Sequence, residues 1–204
     1  MPIAINGDGT ITGVSVGGMP DGIVDTDMLA TDAVTAAKIG SLPTGSVLQV
    51  VSTTKTDTWS TNSTSYADVT GLTATITPSS TSSKILAFGQ IGASAKGNTS
   101  GIYFALAKGG TIISGATGDT ASNRPRATSV YFPGDFGSAE NPYCSLAFTY
   151  LDSPASTSSL TYSIQGRKGP NVVTLYVNRS VADRDTADYE PRYISTITLM
   201  EVAG

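Results

Sequence analysis

From Gly45 onward the chain alternates short apolar runs with polar, turn-forming stretches. GSVLQVVS follows Pro43 and Gly45, two punctuating residues, and predicts an opening strand. SYADVTGLTATITP carries the next strands, and Pro78 ends them because proline has no N–H for a ladder. SSTSS is a polar turn. KILAFGQIGASA then places Ile85, Ala87, Gly89 and Ile91 on one face, since side chains in a strand alternate. Ile102, Phe104 and Leu106 alternate in the same way, and Gly109-Gly110 predicts a hairpin turn into TII. YCSLAFTYL puts Cys144, Leu146, Phe148 and Tyr150 on one face. SLTYSIQGRK points Leu160, Tyr162 and Ile164 inward, with Thr161 and Ser163 outward. VVTLYVN is a compact strand, and YISTITLMEV closes the series with Tyr193, Ser195, Ile197 and Leu199 together. Two longer segments break the alternation: the polar SGATGDTASNRPRATS and the aromatic VYFPGDFGSAENP. About eight to ten short strands, with turn signals between most of them and no long helical pattern, predict an all-β fold. A jelly-roll-like β-sandwich over residues 45–204 suits that pattern.

Residues 1–44 read differently. Gly, Asp and Pro dominate, with isolated apolar positions. Asn6-Gly7 and Asp8-Gly9 are turn signals, so a hairpin with Ile3 and Ile5 on one side and Ile11 on the other is expected. Next, Val24, Leu29, Val34 and Ile39 recur every five residues. That spacing fits neither the helical nor the strand period. One reading is a short helix over AVTAAKI capped by Asp32. The other is an extended arm whose apolar residues are buried only against copies of itself. Three intertwined chains would supply that surface, which makes these four residues candidates for a trimer seam. Leu42-Pro43 then favours extended backbone into the next region.

Composition narrows the chemistry. Charged residues make up 14% of the chain, against about a quarter in an ordinary domain. The net charge is −4 and no basic tract exists, so phosphate-driven nucleic-acid binding has no support. Histidine is absent, which removes Ser–His and Cys–His nucleophiles and imidazole metal sites. Cys144 is the only cysteine, so no intrachain disulfide forms, and it reads as a small buried apolar residue. No apolar run is long enough to span a membrane, and no signal peptide is visible, so synthesis in a cytoplasm is expected.

Few groups remain for chemistry. Asp183, Asp185, Asp188 and Glu190 could in principle gather a hard cation. A loop neutralised in part by Arg184 and Arg192 is the plainer reading. NGDGT resembles a fragment of a calcium loop but lacks the later glutamate. Paired carboxylates could serve glycoside hydrolysis, yet nothing in the sequence sets two of them across a sugar. No catalytic residue, metal or cofactor is expected. N-x-S/T triplets at Asn62, Asn98 and Asn178 read as accidents of a Ser- and Thr-rich chain. Recognition is the stronger possibility. Arg124, Arg126, Tyr131 and Phe136 sit in the two longest loops, and Arg and Tyr are favoured at binding hot spots. The competing reading has Tyr131 and Phe132 as strand residues packed in the core or at a trimer seam.

GSVLQVVSTTKTDTWSTNSTSYADVTGLTATITPSSTSSKIL resembles a module of bacteriophage tail-fibre and other virion structural proteins, notably marine ones. YLDSPASTSSLTYSIQGR, LYVNRS and STITLMEVAG resemble the same module, and DTDMLATDAVTAAKIG resembles trimeric stalk segments of phage fibres. The resemblance implies a homotrimeric virion protein. Its arm would dock on another virion protein, and its distal β-domain would meet a host receptor or glycan. A head fibre or capsid-decoration protein is the alternative. No catalytic residue carries over.

Overall fold

The computed structural model describes residues 4–5, 11–12, 42–97, 100–133, 143–185 and 190–204. The chain divides into two compact units, Met1–Leu42 and Pro43–Gly204. In the first, β1 (Ala4–Ile5) pairs antiparallel with β2 (Ile11–Thr12), and Ile5 lies opposite Ile11. This is the hairpin expected from the two Gly-containing turn signals. Val24, Leu29, Val34 and Ile39, and the alternative helix over AVTAAKI, lie outside the described residues.

The second unit holds two antiparallel sheets. One is built on β6 (Lys84–Gly97), which pairs along one edge with β10 (Tyr143–Asp152). Its other edge pairs first with β13 (Ser195–Val202) and then with β12 (Val172–Val177). β3 (Val47–Lys55) lies outside β13, and β4 (Trp59–Thr61) outside β12. The other sheet runs β5 (Ala67–Ile76), β11 (Leu160–Lys168), β7 (Ile102–Lys108). β8 (Thr111–Ile112) and β9 (Ser129–Tyr131) share the far edge of β7.

The inward faces of both sheets make one buried cluster. Ile85, Ala87 and Ile91 of β6 join Phe104 and Leu106 of β7 and Tyr162 and Ile164 of β11. Ile197 and Leu199 of β13 complete it, and all nine are essentially inaccessible to water. Each sits on the phase that alternation assigns. Phe148 is buried, while Cys144, Leu146 and Tyr150 are half-buried against the cluster on the same face of β10. The Gly109-Gly110 turn forms with positive φ at both residues, as a tight hairpin between right-twisted strands requires.

One local reading changes. ADVTGLTATI, Ala67–Ile76, is one strand, not several. Its alternation slips at Gly71 (φ +83°), so Val69 and Leu72 both point inward. The ladder with β11 shifts opposite this point, between Ser163 and Gln165, which marks a β-bulge. Ser163 does lie on the outer face of its sheet, but it is buried and donates to Asp68 at 3.1 Å.

The outer face of the larger sheet is ordered in rows. Val50, Met200, Leu86 and Leu151 stand side by side across β3, β13, β6 and β10. The next row holds Ser52, Thr198, Phe88 and Thr149, and the one after it Thr54, Thr196, Gln90 and Ala147.

Candidate functional site

Between β8 and β9 the chain leaves the sheet and folds over on itself. It opens with a 3-10 turn at Ser114–Ala116. Arg126 then closes the loop from its far end. Its Nε donates to the Gly118 carbonyl at 2.6 Å and its Nη2 to the Ser114 carbonyl at 2.9 Å. The Tyr66 hydroxyl donates to the backbone carbonyl of Arg126 at 2.7 Å. Thr128 fastens the exit to β7: its N–H donates to Phe104, and its hydroxyl accepts from the Leu106 N–H. A loop without regular structure is thus held by side-chain and backbone bonds in place of a ladder.

This pinning shapes a concavity of about 390 Å³. Arg124, Arg126 and Asp119 line it together with Tyr103, Val130 and Phe132. Phe132 is 57% exposed and meets the Tyr103 ring edge-on, with centroids 6.2 Å apart. The Arg167 guanidinium lies 4.2 Å from the Tyr103 centroid and 5.2 Å from that of Tyr66. These are cation–π distances, so both rings are held in place. Burial raises the Tyr66 phenol above its ordinary pKa, against the opposing pull of Arg167.

The four predicted contact residues therefore separate. Arg124 is exposed at the rim of the concavity. Arg126 lines it too, with two of its five N–H donors committed to the loop. Tyr131 is not a loop residue: it belongs to β9 and packs against the core. Burial, with the nearby Cys144, raises its phenol pKa. Phe136 lies outside the described residues. Sequence reasoning passed over Tyr103, although the alternation that sends Ile102 and Phe104 inward also sends Tyr103 to the other face.

The concavity presents the Arg124 guanidinium, the Asp119 carboxylate, the exposed Phe132 ring and backbone polar groups. A guanidinium and an aromatic face suit planar groups. Cys144 stands apart from it, and burial raises its thiol to about 12.

Elsewhere the candidate chemistry resolves into structure. Asp183 takes Arg192 at 2.8 Å and Arg179 at 3.4 Å. Glu190 takes the Arg184 Nε at 2.7 Å and the Ser180 hydroxyl at 3.0 Å. The acidic loop is thus cross-linked by arginines, and Asp188 lies outside the described residues. Among the described residues no cluster of three His, Cys, Asp or Glu side chains is placed to hold a metal. Asn178 is buried and spans three partners: its Nδ2 donates to Lys55 and Asp57 carbonyls, and its Oδ1 accepts from Ser195. It is unavailable for glycosylation in the fold.

A second concavity, about 600 Å³, opens on the outer face of the larger sheet. Gly92 and Ser145 line it, with Gln90, Tyr143, Arg192 and Ile194 around them. The chain matches no protein-family model, and no curated protein matches it.

Proposed function

We propose that this chain is a virion fibre or spike protein of a bacteriophage. In this reading it is a homotrimer. Residues 1–44 attach it to another virion protein, and the β-domain, with jelly-roll-like connectivity, meets a receptor or glycan on the host surface. The protein is made in the host cytoplasm and resides on the particle. It is a binding protein, not an enzyme, and needs no cofactor, nucleic acid or membrane insertion.

The observation that carries this reading is the concavity beside Arg124 and Phe132. A rigid sandwich holds a bonded loop whose exposed groups are a guanidinium and an aromatic ring. Loops on rigid scaffolds are where recognition is commonly placed. Three copies would turn weak single-site contacts into strong attachment. The bare outer face of the larger sheet supports a second reading, a head fibre or capsid-decoration protein, because such a face suits packing on a shell. Imaging particles labelled with an antibody to the chain separates the two. A few copies at the tail support adsorption, many copies over the shell support decoration, and unlabelled particles contradict both.

A further inference from the structure

The two outer faces of the sandwich are finished differently. On the five-stranded sheet the outward residues Tyr103, Ala105, Ala107 and Gln165 are buried, and Asp68 and Arg167 place charge there. On the six-stranded sheet the outward rows are half-buried along β13 and at Leu86 and Phe88, and exposed at their ends on β3 and β10. Val50 and Leu151, at the two ends of the apolar row, are 53% and 47% exposed. None of the residues in the three rows is charged. The face runs on into the larger concavity, where Tyr143 and Ile194 are exposed as well. Large exposed apolar groups are ordinarily scattered, and their gathering on one flat face marks an interaction surface.

We propose that a second copy of this chain packs on the outer face of the six-stranded sheet. Three features select a copy of itself. The chain carries a net charge of −4, so identical copies repel where their acidic surfaces meet, whereas the three rows carry no charge and the exposed Lys84 beside them, opposite Val202, is positive. The Ser52 and Thr198 hydroxyls bond each other at 2.9 Å and Thr149 adds a third, and a hydroxyl that makes one bond still has lone pairs with which to accept from the same group on another copy. The area also suffices. Four strands about 4.8 Å apart, each about nine residues long at about 3.4 Å per residue, span roughly 600 Å². Specific interfaces bury roughly 600–1,000 Å² per partner. Packed face to face, the row Val50–Met200–Leu86–Leu151 would interdigitate as the inner faces of a sandwich do.

This inference shares with the proposed function only the premise that the chain self-associates. Sedimentation equilibrium of the full chain at micromolar concentrations tests it. Met200→Lys sets a charge in the middle of the apolar row, and Thr198→Lys does so one row away with less loss of apolar contact. Thr75→Lys, on the outer face of β5, is the control. The parent and the control should pair alike beyond any trimer made by the arm, while in both row variants, with unchanged circular dichroism, that further pairing should be about 100-fold weaker. If Met200→Lys fails to fold, Thr198→Lys decides. Equal association of parent and folded row variants overturns the face while leaving a trimer made by the arm. A monomeric parent overturns both.

Discussion

Asp152 and Tyr162 face each other across the sandwich, and the phenol donates to the carboxylate at 2.6 Å. Asp152 ends β10 of one sheet; Tyr162 lies on β11 of the other. Lys108 stands directly opposite Tyr162 on β7 and donates to the same Asp152 oxygen, also at 2.6 Å. One buried carboxylate therefore pins two sheets. Burial, with the neighbouring Asp152, raises the Tyr162 pKa far above its ordinary value, so the phenol stays a donor.

Removing that donor tests the pin. Tyr162→Phe keeps the ring and deletes the hydroxyl, leaving the buried carboxylate with one partner fewer. The expected cost is about 1–3 kcal/mol, read by denaturant unfolding. An unchanged midpoint would show that water or Lys108 replaces the bond at no cost.

Gly89 and Phe148 form a second coupled pair. They sit opposite each other in the β6–β10 ladder, and a Cβ on Gly89 would come within 3.1 Å of the Phe148 ring. The same Cβ would lie 2.1 Å from the Thr196 carbonyl oxygen, which is backbone and cannot yield cheaply. Gly89→Ala should prevent native folding. Phe148→Ala should fold but lose about 3–5 kcal/mol. A Phe148→Ala protein that melts with the parent would place that ring outside the core.

Glu201 gives the fold an acid-sensitive joint. It is fully buried and accepts from Gln49 Nε2 at 2.5 Å, and from the Ser79 N–H, the Ser79 hydroxyl and the Ser83 hydroxyl at 2.7 Å each. Burial alone would raise its pKa. The donors outweigh that and hold the carboxyl at about 2, below its ordinary 4.5. A folded-state pKa below the unfolded value stabilises fully above pH 4.5 and is lost as pH falls toward 2. The melting temperature of the parent should fall through that window. Glu201→Gln should be less stable at neutral pH by about 1–3 kcal/mol and flatter in the acid window. Parallel acid profiles would assign the acid sensitivity to other groups.

The strands were readable because the core is built on strict alternation. Ile85, Phe148, Ile164 and Ile197 each take the inward position that period two assigns them. The misread points are those where the period is broken or overridden. Around Gly71 extra residues on β5 slip the phase, and nothing in TGLT distinguishes such a break in the ladder from a strand end. Val130 and Tyr131 pair with β7 inside a stretch whose Gly and Pro content reads as loop. The candidate site was legible in part. Arg124 stood out as a loop arginine, and loop position alone cannot show that Arg126 commits two donors to Ser114 and Gly118. Tyr103 and Phe132 join the site only through contacts between segments distant in sequence. The outer-face rows were hidden for the same reason, since they exist only once four strands are in register.

In the proposed function the β-domain contacts the host surface, and adsorption competition tests this most directly. Purified full-length protein in excess should bind host cells and slow adsorption of the phage. The folded double variant Arg124→Ala, Phe132→Ala should lose both effects, because its side chains are exposed and not part of the core. A parent protein that neither binds cells nor slows adsorption would contradict host contact and leave the capsid-decoration reading in its place.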